Sequence, residues 1–122
     1  VRASEGQEVA IGGFVITGQD PKRVLIRALG PELLKRDVFE VLPDPYMALY
    51  SGADIVAAND DWESENSYRM QEAFTQVNAT ILEEGSTDAA MVRELQPGLY
   101  TVVVSDFNNN SGIVLIEVYE LP

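Results

Sequence analysis

The residues best suited to chemistry lie in one acidic segment, residues 54–65. Five carboxylate side chains fall within these twelve residues, and neither Lys nor Arg lies among them. Adjacent carboxylates repel one another, so such a cluster needs either full solvation or a cation that neutralises it. Hard cations such as calcium select oxygen ligands at about 2.3–2.6 Å. The segment therefore predicts either a calcium site or a solvated acidic loop.

Four residues are the candidate metal ligands: Asn59, Asp60, Asp61 and Asp88. In an extended backbone Asn59 and Asp61 point to one side and Asp60 to the other, whereas a turn brings all three together. Asp88 begins a later predicted strand and is a candidate ligand from a distant part of the chain. The spacing does not match an EF-hand, which needs oxygen ligands at alternating loop positions and a Gly at the sixth. The weaker candidates are Asp54, Glu63 and Glu65.

The composition offers little for catalysis. The chain contains no His and no Cys, which removes the commonest general base, the commonest transition-metal ligand and the thiol nucleophile. It also contains no glycine-rich phosphate loop. Paired carboxylates hydrolyse glycosides in some enzymes, but the acidic residues here share one loop and no cleft is predicted. We expect that the protein is not an enzyme.

The net charge of −12 is unevenly distributed along the chain. Residues 1–53 carry six basic and seven acidic side chains, whereas residues 54–122 carry two basic and thirteen acidic ones. A strongly negative field repels phosphate backbones and anionic lipids. We therefore expect neither nucleic acid nor a membrane surface as a partner, and we expect cations or basic surfaces instead.

The length and the apolar content indicate one soluble domain. A chain of 122 residues with 46% apolar residues is long enough to bury a core, so residues 1–122 predict a single module. No apolar run approaches the roughly 20 residues that cross a bilayer, which argues against membrane insertion. The chain begins at Val1 rather than Met and shows no signal peptide, which indicates a processed product or a segment of a longer protein.

Most of the chain predicts short β-strands separated by turns. The Gly12-Gly13 pair predicts a bulge or a bend in the first strand, and the turns at Pro97-Gly98 and at residues 108–112 suit tight hairpins. The nearly continuous apolar character of the last strand predicts a central position in a sheet. The predicted strands are residues 8–17, 22–29, 46–50, 54–58, 89–95, 99–105 and 113–121. We expect an all-β fold, a jelly-roll-like β-sandwich of about seven to nine mainly antiparallel strands.

One segment, residues 66–77, predicts a short helix. Met70, Ala73, Phe74 and Val77 fall at the spacing of a helical stripe, and Asn66 or Ser67 is a suitable N-cap. We expect this helix to cover one end of the core. Residues 31–36 predict a further helical turn.

The interpretation of two large side chains depends on whether they are buried. Trp62 is either an exposed platform for stacking on sugars or a core residue whose N–H is bonded nearby. Arg27 lies within an apolar strand, and if it is buried it must pair with a carboxylate, because an unpaired buried charge is very unfavourable. Glu117 on the last predicted strand is the candidate partner.

Six sequence blocks, in this order, carry a resemblance to a known module: GGFVITG (12–18), RVLIRALGP (23–31), AANDDW (57–62), TDAA (87–90), PGLYTVVVS (97–105) and EVY (117–119). Together they look like an uncharacterised β-sandwich module of large secreted and surface proteins of environmental bacteria, which is loosely similar to the bacterial pre-peptidase C-terminal domain. The resemblance covers nearly the whole chain and implies an extracellular location, a binding or structural role and, by analogy, calcium near the Asn-Asp-Asp turn.

Two functions are compatible with these features. The first is a non-catalytic module of the cell exterior, stabilised by calcium, that associates with like modules in tandem or as a fibre through strand edges. It is motivated by the acidic second half, the apolar last strand and a first strand that begins incomplete. The alternative is a carbohydrate-binding or substrate-targeting appendage of a secreted enzyme, which predicts that Trp62, Tyr46, Tyr50 and Tyr68 are exposed on one face to bind glycans.

Overall fold

The structure, a computed structural model, describes residues 2–3 and 10–122. These residues form an all-β sandwich with one α-helix, as expected from the sequence. The strands are Arg2–Ala3 (β1), Ala10–Ile16 (β2), Lys22–Leu29 (β3), Pro45–Ser51 (β4), Asp54–Asn59 (β5), Ala89–Leu95 (β6), Gly98–Asp106 (β7), Gly112–Ile113 (β8) and Leu115–Glu120 (β9). The helix is Ser67–Gln76 (α1), and Pro31–Arg36 and Trp62–Ser64 are 3-10 helices.

Two antiparallel sheets form the sandwich. The four-stranded sheet has the order β2-β7-β4-β5, the three-stranded sheet has the order β6-β3-β9, and β1 pairs separately with β8. The chain changes sheet between β2 and β3, between β3 and β4, on each side of β6, and once more between β7 and β9. The β4–β5 pair is a hairpin with its turn at Gly52, whose φ of 62° suits a glycine.

The main core lies between the two sheets. The inward residues of β3, Val24, Ile26 and Ala28, pack in one cluster with Met47 and Val102 of the four-stranded sheet. All five are almost completely buried. Every second residue of β3 therefore faces the main core.

A second core lies on the other side of the three-stranded sheet. Leu25 and Leu29 of β3 pack there against Met70 and Phe74 of α1 and against the fully buried Trp62. The helix begins where the sequence predicts, because the side chain of Asn66 accepts a hydrogen bond from the Arg69 backbone N–H. We expected this helix to cover one end of the sandwich core, and this expectation was wrong. The helix covers the outer face of the three-stranded sheet. This third layer explains why both faces of β3 are buried.

The last strand was predicted to be central, and this prediction was wrong. The predicted segment divides into β8 and β9, and β9 forms an edge of the three-stranded sheet. Its side chains are apolar on both faces because Ile116 packs against the main core while Leu115 packs in the second core. An edge strand between two cores therefore has the apolar pattern of a central strand.

Three predicted turns or irregularities also differ. The β2–β7 register passes through Gly12 and Gly13 without a shift, so there is no bulge there, and the irregularity lies instead between Leu49 and Tyr50 of β4. The turns after β6 and β7 are not hairpins, because their flanking strands belong to different sheets. Residues 8 and 9, where the first strand was predicted to begin, lie outside the described residues.

Candidate metal site

Three carboxylates meet at one end of the four-stranded sheet. Asp44 directly precedes β4, and Asp60 and Asp61 directly follow β5. Because Met47 pairs with Asn59, the antiparallel register brings the start of β4 beside the end of β5. One ligand oxygen of each of the three aspartates lies within 4.8 Å of those of the other two.

The cluster contains two of the four ligands predicted from the sequence and one residue that was not predicted. Asp60 and Asp61 are in it, and Asp44 replaces the more distant Asp88. The signal for Asp44 was present in the hairpin. If residues 46–50 pair with 54–58 around a turn at Gly52, residue 44 must lie beside the residues that follow the second strand.

Asp106 holds Asp44 in place. One carboxylate oxygen of Asp106, Oδ1, accepts a hydrogen bond of 2.8 Å from the backbone N–H of Asp44. The other, Oδ2, accepts hydrogen bonds from the backbone N–H groups of Asn108 and Asn110 at 2.9 and 3.1 Å. Asp106 is buried, and its Oδ2 also accepts a hydrogen bond of 3.1 Å from the Asn110 side chain, so it positions Asp44 beside the turn.

Burial and mutual repulsion disfavour the charged forms of two members. Burial, followed by the charges of Asp61, Asp60 and Asp106, raises the pKa of Asp44 to about 6. Burial, followed by the charges of Asp60 and Glu63, also raises the pKa of Asp61. None of the ion pairs between described residues involves the three aspartates. At neutral pH the cluster therefore holds negative charge that the described side chains do not neutralise.

Two oxygen atoms of the cluster have no hydrogen-bond partner among the described residues. They are Oδ1 of Asp44 and Oδ1 of Asp61, and both atoms are buried. Buried polar atoms are normally bonded, and a buried anionic oxygen without a partner is strongly unfavourable. No described donor therefore offsets the burial of these two oxygens.

Asn59 is buried and uses its side chain to shape the turn. Its amide nitrogen donates to the backbone oxygen of Asp61 at 3.0 Å and to Oγ of Ser64 at 3.1 Å. Its amide oxygen accepts a hydrogen bond of 3.0 Å from the backbone N–H of Ala90. All of its polar atoms have protein partners, and they hold β5 and the acidic turn against β6.

Asp88 is also buried, and its carboxylate faces a different part of the chain. Its Oδ1 accepts hydrogen bonds from the backbone N–H groups of Gly30 and Glu32 at 2.7 and 3.2 Å. Its Oδ2 accepts a hydrogen bond from the Ser86 hydroxyl. The structure therefore does not bring Asp88 into the cluster. Asp88 instead joins the start of β6 to the 3-10 helix Pro31–Arg36.

None of the three weaker candidate ligands is a member of the cluster. Asp54 is exposed at the far end of β5. Glu63 accepts a hydrogen bond from the Gly85 backbone N–H, and Glu65 pairs with Arg93 at 2.6 Å. Arg93 is one of only two basic residues after residue 53, and this ion pair occupies it.

The cluster fits a calcium ion by donor type and by size. Two oxygens that each lie about 2.4 Å from one ion are at most about 4.8 Å apart, which is the separation limit that the three aspartates satisfy. Calcium takes six to eight oxygen ligands, so backbone carbonyls or water would supply the remainder. Three carboxylates without His or Cys suit a hard cation such as Ca²⁺, Mg²⁺ or Mn²⁺ rather than zinc or copper.

The aromatic residues that could bind a sugar do not share one surface. Trp62 is fully buried and donates its ring N–H to the backbone oxygen of Glu83 at 3.1 Å, so the core interpretation is confirmed. Tyr68 is exposed on α1, which covers the three-stranded sheet. Tyr46 and Tyr50 are half-buried on β4 in the other sheet.

A groove of about 350 Å³ runs beside α1, lined by side chains that include Arg23, Arg69 and Glu65. The acidic cluster does not line it. No helix among the described residues is long and apolar enough to cross a membrane.

Comparisons of the chain with protein-family models, with curated proteins and with solved structures found no match. The likeness to the secreted bacterial module therefore rests on the six sequence blocks alone. The β-sandwich and the geometry of the acidic cluster are the structural basis for a functional proposal.

Proposed function

We propose that the protein is a non-catalytic, extracellular structural module that binds calcium between Asp44, Asp60 and Asp61 and associates with like modules. The observation that carries the calcium proposal is the pair of buried, unbonded oxygens, Asp44 Oδ1 and Asp61 Oδ1. A divalent cation would bond both oxygens and neutralise the repulsion between the three carboxylates. The role of this ion is structural, because it would join the start of β4 to the end of β5.

The extracellular location is proposed on two grounds. Calcium sites with few carboxylates bind weakly, with dissociation constants of about 10⁻⁴–10⁻³ M in extracellular modules, and such sites fill only where calcium is abundant. The sequence resemblance also implies a secreted or surface protein. A net charge of −12 favours solubility and attracts cations.

Association with like modules is proposed from the exposed strands. In the four-stranded sheet β2 and β5 are edge strands, and in the three-stranded sheet β6 and β9 are edge strands. An edge strand presents backbone N–H and C=O groups to which a strand of another copy can pair. Such contacts would link modules in tandem or as a fibre.

Thermal unfolding with and without calcium tests the proposal. If the dissociation constant is about 0.1 mM, 10 mM calcium stabilises the folded chain by about 2.7 kcal/mol, so the melting temperature rises by several degrees. Magnesium is the control, because it demands a smaller octahedral site and gives a smaller shift. Equal melting temperatures in calcium and in EDTA would refute the calcium component.

A carbohydrate-binding appendage remains the alternative, and one observation favours it. Tyr46 and Tyr50 are four residues apart on β4, so they lie on the same face of the sheet. However, Trp62 is buried and Tyr68 lies on the opposite side of the sandwich. Binding to a glycan array that is lost in Tyr50→Ala would support this alternative over the structural role.

A further inference from the structure

The outer face of the four-stranded sheet is unusual for an acidic protein. In β2, β7 and β4 every second residue points outward, beginning with Ile11, Leu99 and Tyr46, and none of these outward residues is charged. Ile55 of β5 pairs with Tyr50 and continues the same face. Of the 20 acidic side chains in the protein, none lies on this face in these three strands.

The face is apolar as well as uncharged. Ile11, Val15, Leu99 and Ile55 have 59%, 61%, 66% and 59% of their surface exposed. Val15 and Leu99 are directly opposite in the β2–β7 register, so they form an apolar pair in contact with solvent. An antiparallel sheet that faces water normally carries polar side chains outward. The outer face of the other sheet is covered by α1, whereas no described element covers this one.

The charge distribution favours one kind of partner for this face, a second copy of the chain. A basic partner would bind to the acidic surfaces and gain nothing from an uncharged one. A second copy of this chain also carries a charge of −12, so the two copies repel wherever their acidic surfaces meet. They approach most favourably through a surface without charge, and the outer face is such a surface on both.

The area of the face indicates the class of interface that it can form. Four strands about 4.8 Å apart and seven residues at about 3.4 Å give roughly 450 Å² per copy in plan. Two copies together bury about 900 Å², which lies in the range of weak and transient interfaces. A two-fold axis would place the two sheets face to face, as aligned sheets pack within a sandwich.

We infer that two copies of the chain associate weakly through the outer faces of their four-stranded sheets, with the Val15–Leu99 pair at the contact. This inference deepens the proposed assembly role and rests on it. It also replaces strand pairing as the main contact, because face-to-face packing buries apolar side chains that strand addition leaves exposed. Since like charges oppose the contact, added salt strengthens it by screening, the reverse of a contact between opposite charges.

Sedimentation equilibrium of the 122-residue chain, from about 10 µM to about 1 mM, tests the inference. The test variants are Leu99→Lys and Val15→Lys, and the matched control is Phe39→Lys. Leu99 and Phe39 are both 66% exposed, and Phe39 lies outside the sheet. Each substitution reduces the net negative charge by one, so general repulsion falls equally in all three. Fluorescence of the single Trp, buried in the second core, verifies that each variant is folded.

We expect the wild-type mass to rise towards that of a dimer and to rise further between 0.05 and 0.5 M NaCl. Leu99→Lys and Val15→Lys should each weaken association about thirtyfold, as for a hot-spot residue, while Phe39→Lys changes it less than about twofold. If all three variants associate like the wild type, the face is not the contact, and assembly through strand edges stands. A strict monomer at 1 mM with salt and calcium contradicts both the inference and the assembly role, and leaves the calcium site to its own test.

Discussion

Arg27 on β3 and Glu117 on β9 pair inside the protein, with 2.9 Å between Nε and Oε1. The arginine side chain is fully buried, and the glutamate side chain is 16% exposed. The guanidinium group also donates from Nη1 to the backbone oxygen of Thr80 at 2.5 Å and lies 4.9 Å from the centre of the Phe74 ring. This pair joins the edge strand, the central strand and the segment after α1, which explains how a charged residue is accommodated in the second core.

Removing the glutamate should destabilise the fold strongly. Glu117→Leu leaves the Arg27 charge buried without a carboxylate, and breaking such a pair decreases the free energy of unfolding by about 3–5 kcal/mol. We expect the lower end of this range, because Glu117 is partly exposed and water can reach the guanidinium group. Urea denaturation followed by Trp fluorescence measures the change.

A double-mutant cycle separates the interaction energy between Arg27 and Glu117 from the packing contribution of each side chain. Arg27→Met combined with Glu117→Leu removes both charges and keeps a side chain of similar length at the buried position. We expect the double variant to regain about 2 kcal/mol or more relative to Glu117→Leu alone. Additive losses in the cycle would show that the two residues stabilise the protein independently.

Asp88 should be important for stability and unimportant for calcium. Asp88→Ala leaves the N–H groups of Gly30 and Glu32 without their acceptor, and each such buried group costs about 1–3 kcal/mol. Asp88→Asn keeps an acceptor oxygen and removes only the charge, so it suits the calcium measurement. We expect its calcium affinity to be within about twofold of wild type. A loss of calcium binding in folded Asp88→Asn would restore Asp88 as a ligand, as the sequence predicted.

The stability of the metal-free protein should depend on pH through Asp44. The pKa of Asp44 is raised from 3.8 to about 6 by folding, so the folded state binds the proton more tightly than the unfolded state. This contribution to stability is fully present below pH 3.8 and is lost as the pH rises through about 6. In EDTA we expect Asp44 to make the protein less stable at pH 7.5 than at pH 5.

The variant Asp44→Asn and added calcium identify the source of this dependence. Asp44→Asn removes the titrating group, so the loss of stability between pH 5 and 7.5 should be smaller than in wild type. Saturating calcium should also reduce the loss, because it binds the ionised carboxylates that form at higher pH. If wild type and Asp44→Asn have parallel stability profiles, Asp44 is not the group responsible.

Gly30 should tolerate no side chain. A Cβ atom at this position would lie 2.0 Å from the backbone oxygen of Leu42, and the Gly30 N–H must keep its bond to Asp88. We expect Gly30→Ala to lower the free energy of unfolding by about 3 kcal/mol. The matched control is Gly13→Ala, where the nearest atom, the Tyr100 oxygen, lies 3.7 Å away, and we expect a change below about 0.5 kcal/mol. Equal effects of both substitutions would contradict the close packing at Gly30.

The features that the sequence predicted correctly are those governed by local rules. The helix follows from its apolar stripe and from Asn66 as its cap, and the burial of Trp62 is the usual state of a single Trp in a sandwich. The Arg27–Glu117 pair follows from one requirement, that a charge inside an apolar strand must be neutralised. In each case the relevant neighbours are set by spacing along the chain or by a strong electrostatic constraint.

The features that the sequence did not predict depend on register and on layers. Asp44 joins the acidic cluster only because β4 and β5 pair with Met47 opposite Asn59, and charge clustering along the chain did not reveal it. Asp88 was a candidate ligand because it lies at the start of a later strand. Its partners in the structure, the backbone N–H groups of Gly30 and Glu32, are distant in sequence and leave no signal there. β9 looked central because two cores, one on each side of its sheet, give an edge strand apolar side chains on both faces.

Isothermal titration calorimetry with calcium tests the central claim most directly. Wild type should bind one ion with a dissociation constant of about 10⁻⁴–10⁻³ M. Asp61→Asn should raise the dissociation constant by about tenfold or more, because fewer ligand charges lower the affinity of such sites. Asp54→Asn, which removes the same charge at an exposed position outside the cluster, should bind like wild type. No binding by wild type, or an equal loss in the two variants, would contradict a calcium site formed by Asp44, Asp60 and Asp61.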